Sequence, residues 1–460
     1  MPSAAHVSKS KSLYRANIKL SNEFDEKLDL QKISAQAGIL QGLLTHASSE
    51  LKIIDLFAGA GGMGLGFLSA GTRKAGYKLI SAAEIDPIYL CSLQKNYNYF
   101  ANYSKKALDE CCPNSFEPLD LRKSIDRQKI VDTVNKFGGV DVLIGGSPCQ
   151  GFSQSNRSSW SPDNPYNQLV DNFVTCVVDL KPKVVLMENV QGILWTPPKG
   201  NADNSEITVI EHISKKLAKA GYILFPKVLD AAWYGVPQHR NRFFLLALHN
   251  SLGYKLEDFG DWGAFPKPTH GHLGKQPYVT VAQAISDLPI IENGENRIFQ
   301  DYTEPTNEEL GHNKFLKKMR HLSGYSREII EGHIVSKQAD YVIERYKHIP
   351  EGGNWKDIQH MLTNYADVKN THSNIYRRLK GYEPSITIGN YRKSMIIHPQ
   401  QNRGLSLREA TRLQSLPDWF TFCNSTDVSY QGGLTHKQQQ LANAVSFLLT
   451  EAIAKHILNF

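Results

Sequence analysis

Four short stretches of this chain carry side chains whose types and spacing could do chemistry. Cys149, in Gly145-Gly146-Ser147-Pro148-Cys149-Gln150, offers a thiol directly after an apolar run that ends in two glycines. A thiolate on a turn at a sheet edge is a nucleophile, but a lone cysteine is more often a small buried hydrophobe. Glu188, in Met187-Glu188-Asn189-Val190, closes another apolar run. Such a residue is commonly solvated or caps a helix; beside a thiol, burial would raise its pKa and let it hold or donate a proton to a ring nitrogen. Arg240 and Arg242 alternate in Gln238-His239-Arg240-Asn241-Arg242, which on a strand puts both on one face. Paired guanidiniums suit a carboxylate or a phosphate, with plain surface charge as the other reading. Finally, Gly59-Ala60-Gly61-Gly62-Met63-Gly64 fits the G-x-G-x-x-G pattern, and Glu84 and Asp86 follow about 20 residues later, where a carboxylate would meet ribose hydroxyls. At this level a NAD enzyme and an S-adenosylmethionine enzyme look alike.

These residues need elements to hold them. LKIIDLF, KLISAAEIDP, VDVLIGGSP, KPKVVLMENV, YILFPKVLDA and RNRFFLLAL are apolar runs of strand length separated by amphipathic stretches. That alternation predicts an α/β fold with a doubly wound, mostly parallel sheet, its ligand sites at the carboxyl ends of the strands. After about residue 250 glycine, proline, histidine and asparagine become frequent and the alternation fades until about residue 395. Near the end it returns, with LSLREATRLQSL and the apolar HKQQQLANAVSFLLTEAIAKHIL, whose pattern Asn443 interrupts. The expected organisation is an N-terminal extension (1–50) with no recognisable chemistry, a catalytic and cofactor-binding domain (51–250), a second, smaller and irregular domain (251–395), and a return to the first (396–460).

Composition narrows the function classes. Over 460 residues, 41% hydrophobic and 21% charged residues are ordinary for a soluble globular protein. No run approaches the roughly 18 apolar residues of a membrane span, and no secretory leader opens the chain. A cytoplasmic protein is expected. The six cysteines form no CxxC pair and no zinc-type spacing with histidine, so reduced thiols, no disulfide framework and no metal are expected. A net charge of +7 permits nucleic-acid binding without requiring it.

Taken together, DLFAGAGGMGLGF, GGSPCQGFSQS, MENV, QHRNRF, RGLSLREATRLQSLPD and QLANAV resemble, in kind and in order, the motifs of DNA (cytosine-5) methyltransferases of bacterial restriction-modification type. The resemblance runs from about Leu51 to the end of the chain. It implies that Cys149 attacks C6 of a cytosine flipped out of duplex DNA, that Glu188 binds the ring at N3 and its exocyclic amine, and that Arg242, with Arg240 beside it, supports the base. It implies S-adenosylmethionine as methyl donor and S-adenosylhomocysteine as product. Phe57, Ala58, Gly59, Gly61 and Gly62 would line that cofactor, Glu84 its ribose, Ile85 its adenine face, Asp120 the adenine amine and Asn443 its far end. Leu121, Pro148, Leu169 and Ala444 would complete the cofactor site. Gln150, Ser153 and Ser155 would lie on a loop that closes over DNA.

The irregular region 251–395 is then expected to be a target-recognition domain. Its candidate DNA-facing clusters are Lys314, Lys317, Lys318 and Arg320; the turn IPEGGNW; Arg377, Arg378 and Lys380; and Arg392 with Lys393. Double-stranded DNA is the expected partner of a monomer, with a cognate restriction endonuclease possible but not physically required. The last motif departs from the family pattern at Ala442 and Ser446, Tyr166 stands where arginine is common, and Ile85 where an aromatic ring often stands. Each departure is expected to tune cofactor affinity. A NAD-dependent oxidoreductase gives Cys149, Glu188 and Arg242 no joint role. A tRNA cytosine methyltransferase would use the same scaffold, but the sizeable middle region favours DNA. A silent DNA-binding relative is disfavoured by the intact chemical residues.

Overall fold

The six apolar runs become the six strands of one sheet in a computed structural model of the chain, which describes residues 49–72, 74–104, 117–148, 165–194, 208–297, 312–321, 330–363, 375–389, 391, 395–423 and 430–460. The strands are β1 (Ser49–Leu56), β2 (Ala75–Ala83), β3 (Val142–Gly146), β4 (Val184–Val190), β5 (Tyr222–Asp230) and β6 (Asn241–His249), in the order β2-β1-β3-β4-β6-β5. β2, β1, β3 and β4 pair in parallel, while β6 runs antiparallel to both its neighbours, β4 and β5. The fold is α/β with a mostly parallel sheet.

The strands read as unbroken apolar runs because both faces of the sheet are covered. Alternate residues feed two separate cores: Val142 and Ile144, Val184 and Leu186, and Phe244 and Leu246 on one side, Leu143, Val185 and Met187, and Phe243 and Leu245 on the other. The helices between strands are α1 (Gly62–Ser69), α2 (Pro87–Ser104), α3 (Ser124–Lys136), α4 (Pro165–Leu180) and α5 (Val209–Lys219). Between β1 and β3 the winding reverses direction, and a crevice opens there at the carboxyl ends of the strands.

Gly145 is needed for β1 and β3 to pair. A Cβ added there would run into the Leu56 carbonyl oxygen and stand 3.0 Å from the Phe173 ring. Gly145→Ala is expected to destabilise the protein by about 1–3 kcal/mol, read as a lower denaturant midpoint; an unchanged midpoint would contradict this packing.

Beyond β6 come α6 (Val281–Ile285), a two-residue strand β7 (Asn296–Arg297), α7 (Lys314–His321), its partner strand β8 (His333–Ile334) and α8 (Asp340–Lys347). Part of this region has a core of its own around Val342, Tyr346, Ile358 and Tyr376, yet residues 46–460 form one compact unit. The chain ends in α9 (Leu407–Leu413), α10 (Tyr430–Asn443) and α11 (Phe447–Ile457). The interruption expected at Asn443 is the break between α10 and α11. α11 packs on α1 so closely that a Cβ at Gly66 would overlap the Thr450 hydroxyl, and Tyr77 Oη donates to the Ala454 carbonyl at 2.7 Å. The end of the chain is therefore built into the sheet domain.

The expectation of reduced thiols fails at one pair. Cys91 on α2 and Cys423 form a disulfide across 332 residues. Polar contacts align the two segments: Asn96 Nδ2 donates to the Thr421 carbonyl at 3.0 Å, and the Cys423 amide donates to Ser92 Oγ at 2.8 Å. Sequence spacing could not reveal it, because the two partners meet only when the end of the chain returns. Cys176 is free and buried, and Cys111, Cys112 and Cys149 lie outside the described residues.

Candidate active site

The glycine-rich loop leaves β1 through strained backbone. Phe57 has φ of 58°, a left-handed value rare for an aromatic residue, and Gly59 and Gly61 have φ of 57° and 94°. Outliers of this kind persist where surrounding structure enforces them, often at ligand sites. Here the enforcement comes from Glu84 at the end of β2. Its Oε2 accepts the Gly59 amide at 2.9 Å, and its Oε1 accepts the Ile85 and Asp86 amides at 2.8 and 3.0 Å. Burial raises the Glu84 pKa against these bonds. Asp55, one turn of chain earlier, is buried and accepts the Gly64 amide at 3.1 Å; burial pushes its carboxyl up to about 8.

The loop opens onto a cavity of about 480 Å³, within the range of small-molecule sites. Its lining includes Phe57, Ala58, Gly59, Gly62, Glu84 and Ile85. Asp120, Leu121, Leu169, Pro148, Asn443 and Ala444 line it as well. Of the residues expected to hold the cofactor, Gly61 alone stays out of the lining, and a Cβ there would stand 2.9 Å from the Leu93 side chain. Gly62 faces the last motif, where a Cβ would lie 3.1 Å from the Val445 carbonyl. Both Asp120 oxygens accept from Arg122, at 2.9 Å each, which holds its carboxyl below the usual range.

Glu188 and Arg242 line the same cavity. The β3–β4 register sets Gly146 beside Glu188, and the β4–β6 register sets Val190 beside Arg242. Arg242 Nε lies 3.2 Å from Glu188 Oε1. Burial raises the Glu188 pKa, opposed first by Arg242 and then by Arg240. Gly146 makes room for this carboxylate, since a Cβ there would stand 3.0 Å from Glu188 Oε2. Asn189 Nδ2 donates to the Ser147 carbonyl and hydroxyl, both at 3.2 Å, pinning the chain just before Pro148. From there it enters residues 149–164, so Cys149, Gln150, Ser153 and Ser155 lie outside the described residues.

A glycine-rich loop and a glutamate–arginine pair in one cavity narrow the identity, and comparison with known proteins decides it. The family model of C-5 cytosine-specific DNA methylases matches residues 51–459. The chain belongs to that family. The methylase is 30% identical over 414 residues to the type II methyltransferase M.DdeI of Desulfomicrobium norvegicum, covering 88% of each chain. It is 31% identical over 412 residues to M1.HphI of Haemophilus parahaemolyticus, covering 89% of this chain and 87% of that one. Among solved structures it is similar to a prophage-encoded E. coli protein described as a DNA modification methyltransferase, with a TM-score of 0.63, 25% identity, and coverage of 89% and 99%.

The two arginines of the methylase, expected to share a face, do different things. Arg240 precedes β6 and is 2% exposed. Its Nη1 donates to the Ile388 carbonyl at 3.0 Å, and its Nη2 to the Ala442 and Ala444 carbonyls at 2.7 and 3.2 Å. It borders the cavity as a strut under the last motif, whereas Arg242 meets Glu188.

The basic clusters separate in the same way. Arg378 is 5% exposed, and its guanidinium donates to the carbonyls of Ile349, Tyr346, His398 and Gln401 and to Asn402 Oδ1. Five acceptors match its five N–H donors, so in this structure every donor of the guanidinium expected to face DNA is taken up inside the protein. Arg320 is likewise buried against Asp418, and Lys318 pairs with Glu451. Lys380 pairs with Glu383 at 3.0 Å. Arg377 is half-buried, and Arg392 and Lys393 lie outside the described residues.

Asp55, Met63 and Tyr89 also line the cavity and escaped sequence reasoning. Asp55 and Met63 sit inside the glycine motif, where attention falls on the glycines. Tyr89 lies four residues after Ile85, and that spacing was its one available signal. Among the described residues no cluster of three or more histidine, cysteine, aspartate or glutamate side chains could hold a metal, and no helix is long and apolar enough to cross a membrane.

Proposed function

We propose that this methylase transfers a methyl group from S-adenosylmethionine to C5 of a cytosine flipped out of duplex DNA, by way of a covalent bond from Cys149 to C6. The observation that carries the reading is one cavity lined both by the Glu84-held glycine loop and by the Glu188–Arg242 pair. The cradle suits the cofactor: a carboxylate at the end of β2 for the ribose, close-approach glycines, and a volume of about 480 Å³. S-adenosylmethionine, when bound, supplies an electrophilic methyl group.

The rest of the chemistry falls to the chain's own residues. Cytosine C5 is too weak a nucleophile to take a methyl group unaided, so the Cys149 thiolate adds to C6 and pushes the ring electrons toward C5. Glu188, whose pKa burial raises against Arg242 and Arg240, gives a proton to N3, stabilises the electrons arriving in the ring, and takes that proton back when the thiolate leaves. Arg242 fixes that carboxyl in place. After methylation a base removes the C5 proton, the electrons re-form the C5–C6 double bond, and the C6–S bond breaks to return the thiolate. Reaching C6 requires flipping, at a cost of a few kcal/mol, which phosphate contacts from the duplex must offset. Residues 251–395 are proposed to read the target, with Arg377 in preference to Arg378, in a monomer that needs no endonuclease bound.

The test is a duplex carrying 5-fluorocytosine in the target site, mapped first by bisulfite sequencing of DNA from cells expressing the protein. With S-adenosylmethionine present a covalent adduct is expected to persist, because fluorine cannot leave as a proton does. Cys149→Ala is expected to form none; an adduct of equal yield in that variant would defeat the mechanism.

A further inference from the structure

Tyr89 meets Asn443 across 354 residues at the edge of the cofactor cavity. Asn443 Nδ2 donates to the Tyr89 hydroxyl at 2.9 Å, and Asn443 Oδ1 accepts from Gln439 Nε2 at 3.1 Å. All three residues line the cavity. An amide nitrogen carries two N–H donors, so this pair of bonds fixes the plane of the Asn443 amide and aims its second N–H. The hydroxyl, acting as acceptor, keeps its own proton, and burial pushes the Tyr89 pKa up to about 12, so the group stays neutral. Tyr89 is itself anchored: its amide is capped by Asp86 Oδ1 at 3.4 Å, and a Cβ on Gly59 would stand 3.8 Å from its ring.

We propose that Tyr89 is a cofactor-positioning residue, which holds Asn443 in place and with it presents two donors, one N–H and one O–H, to the carboxylate at the amino-acid end of the cofactor. This rests on the reading of the cavity as the S-adenosylmethionine site. It links α2 to the break between α10 and α11, so one hydrogen bond joins the two halves of the chain that form the cavity. The adenosine end of the cofactor does not depend on it.

The experiment measures binding by calorimetry to the full-length protein of two probes, S-adenosylhomocysteine and 5′-methylthioadenosine, the second of which lacks the amino-acid end. Tyr89→Phe is expected to weaken S-adenosylhomocysteine about three- to tenfold, as loss of one or two hydrogen bonds does, and to leave 5′-methylthioadenosine within about twofold. Equal weakening of both probes, no weakening, or tighter binding would overturn the proposal. A double-mutant cycle with Asn443→Ala supplies the second readout: the two losses are expected to be non-additive, and additivity would also overturn it. If the wild-type protein binds neither probe, it is the cofactor reading that falls.

Discussion

Glu188→Gln is expected to lower kcat/KM for DNA by about 10²- to 10⁴-fold, the range supplied by a positioned proton donor, while S-adenosylhomocysteine still binds. The amide fills the same space between Gly146 and Arg242, so the cavity keeps its shape and loses only the transferable proton. The pH profile carries the sign. Burial holds the Glu188 pKa above its ordinary 4.5, so the active, protonated form is complete at low pH and is lost as pH rises through the raised value. Wild-type activity should therefore show an alkaline limb from this group, and Glu188→Gln should lack it. A variant that keeps full kcat/KM would remove Glu188 from the chemistry; one that no longer binds S-adenosylhomocysteine would show that the substitution disturbed the whole cavity.

Arg412→Ala is expected to produce the largest loss of stability, about 3–5 kcal/mol, because it removes from buried carboxylates the guanidinium that bridges them. Arg412 is fully buried on α9. Its Nε and Nη2 donate to the two oxygens of Asp418, each at 2.8 Å, and its Nη1 bonds to Asp287. Asp418 also receives Arg320 at 3.2 Å. This knot joins the segment after α6, the helix α7 and the helix α9, so truncating Arg412 loosens all three contacts together. The change should appear as a lower denaturant midpoint in the full-length protein, and a midpoint near wild type would refute the role. Its acid dependence also has a definite sign. Asp418 is held below its ordinary pKa of 3.8, against burial, chiefly by Arg412, so its contribution is present above that value and lost as pH falls. Glu409, held down to about 2 by Arg403, behaves the same way from about pH 4.5 downward, and acid should loosen both pairs.

The knot explains a motif that sequence reasoning could name but not interpret. RGLSLREATRLQSLPD announces its helix openly: Ser406 and Glu409 form the capping box, with the Glu409 amide donating to Ser406 Oγ at 3.0 Å. Nothing in the string says that Arg403, Arg408 and Arg412 are all buried. Arginines at that density read as a surface, and their burial is made tolerable by the carboxylates of Asp287, Glu409 and Asp418 together with backbone carbonyls such as those of Ile291, Glu331 and Ala284.

The sheet was legible for a different reason. A strand covered on both faces must be apolar at every position, so LKIIDLF, KVVLMENV and RFFLLAL declare themselves without any partner. The glycines at 59 and 145, and the carboxylates at Glu84 and Glu188, stand at the ends of such runs, where a doubly wound sheet puts its ligands. Those residues were found because local sequence fixes where a strand stops.

What the sequence determined by itself was therefore the set of strands and the positions of Glu84, Gly145 and Glu188 at strand ends, since each depends on neighbours within a few positions. Tertiary structure alone decided which arginine meets Glu188 and which braces the last motif, which basic residues are buried in internal bonds, that Cys91 meets Cys423, and that Tyr89 meets Asn443. All of these depend on burial or on partners up to 354 residues away, and a side chain's charge and hydrogen-bonding capacity are set by what surrounds it, which the local sequence does not contain.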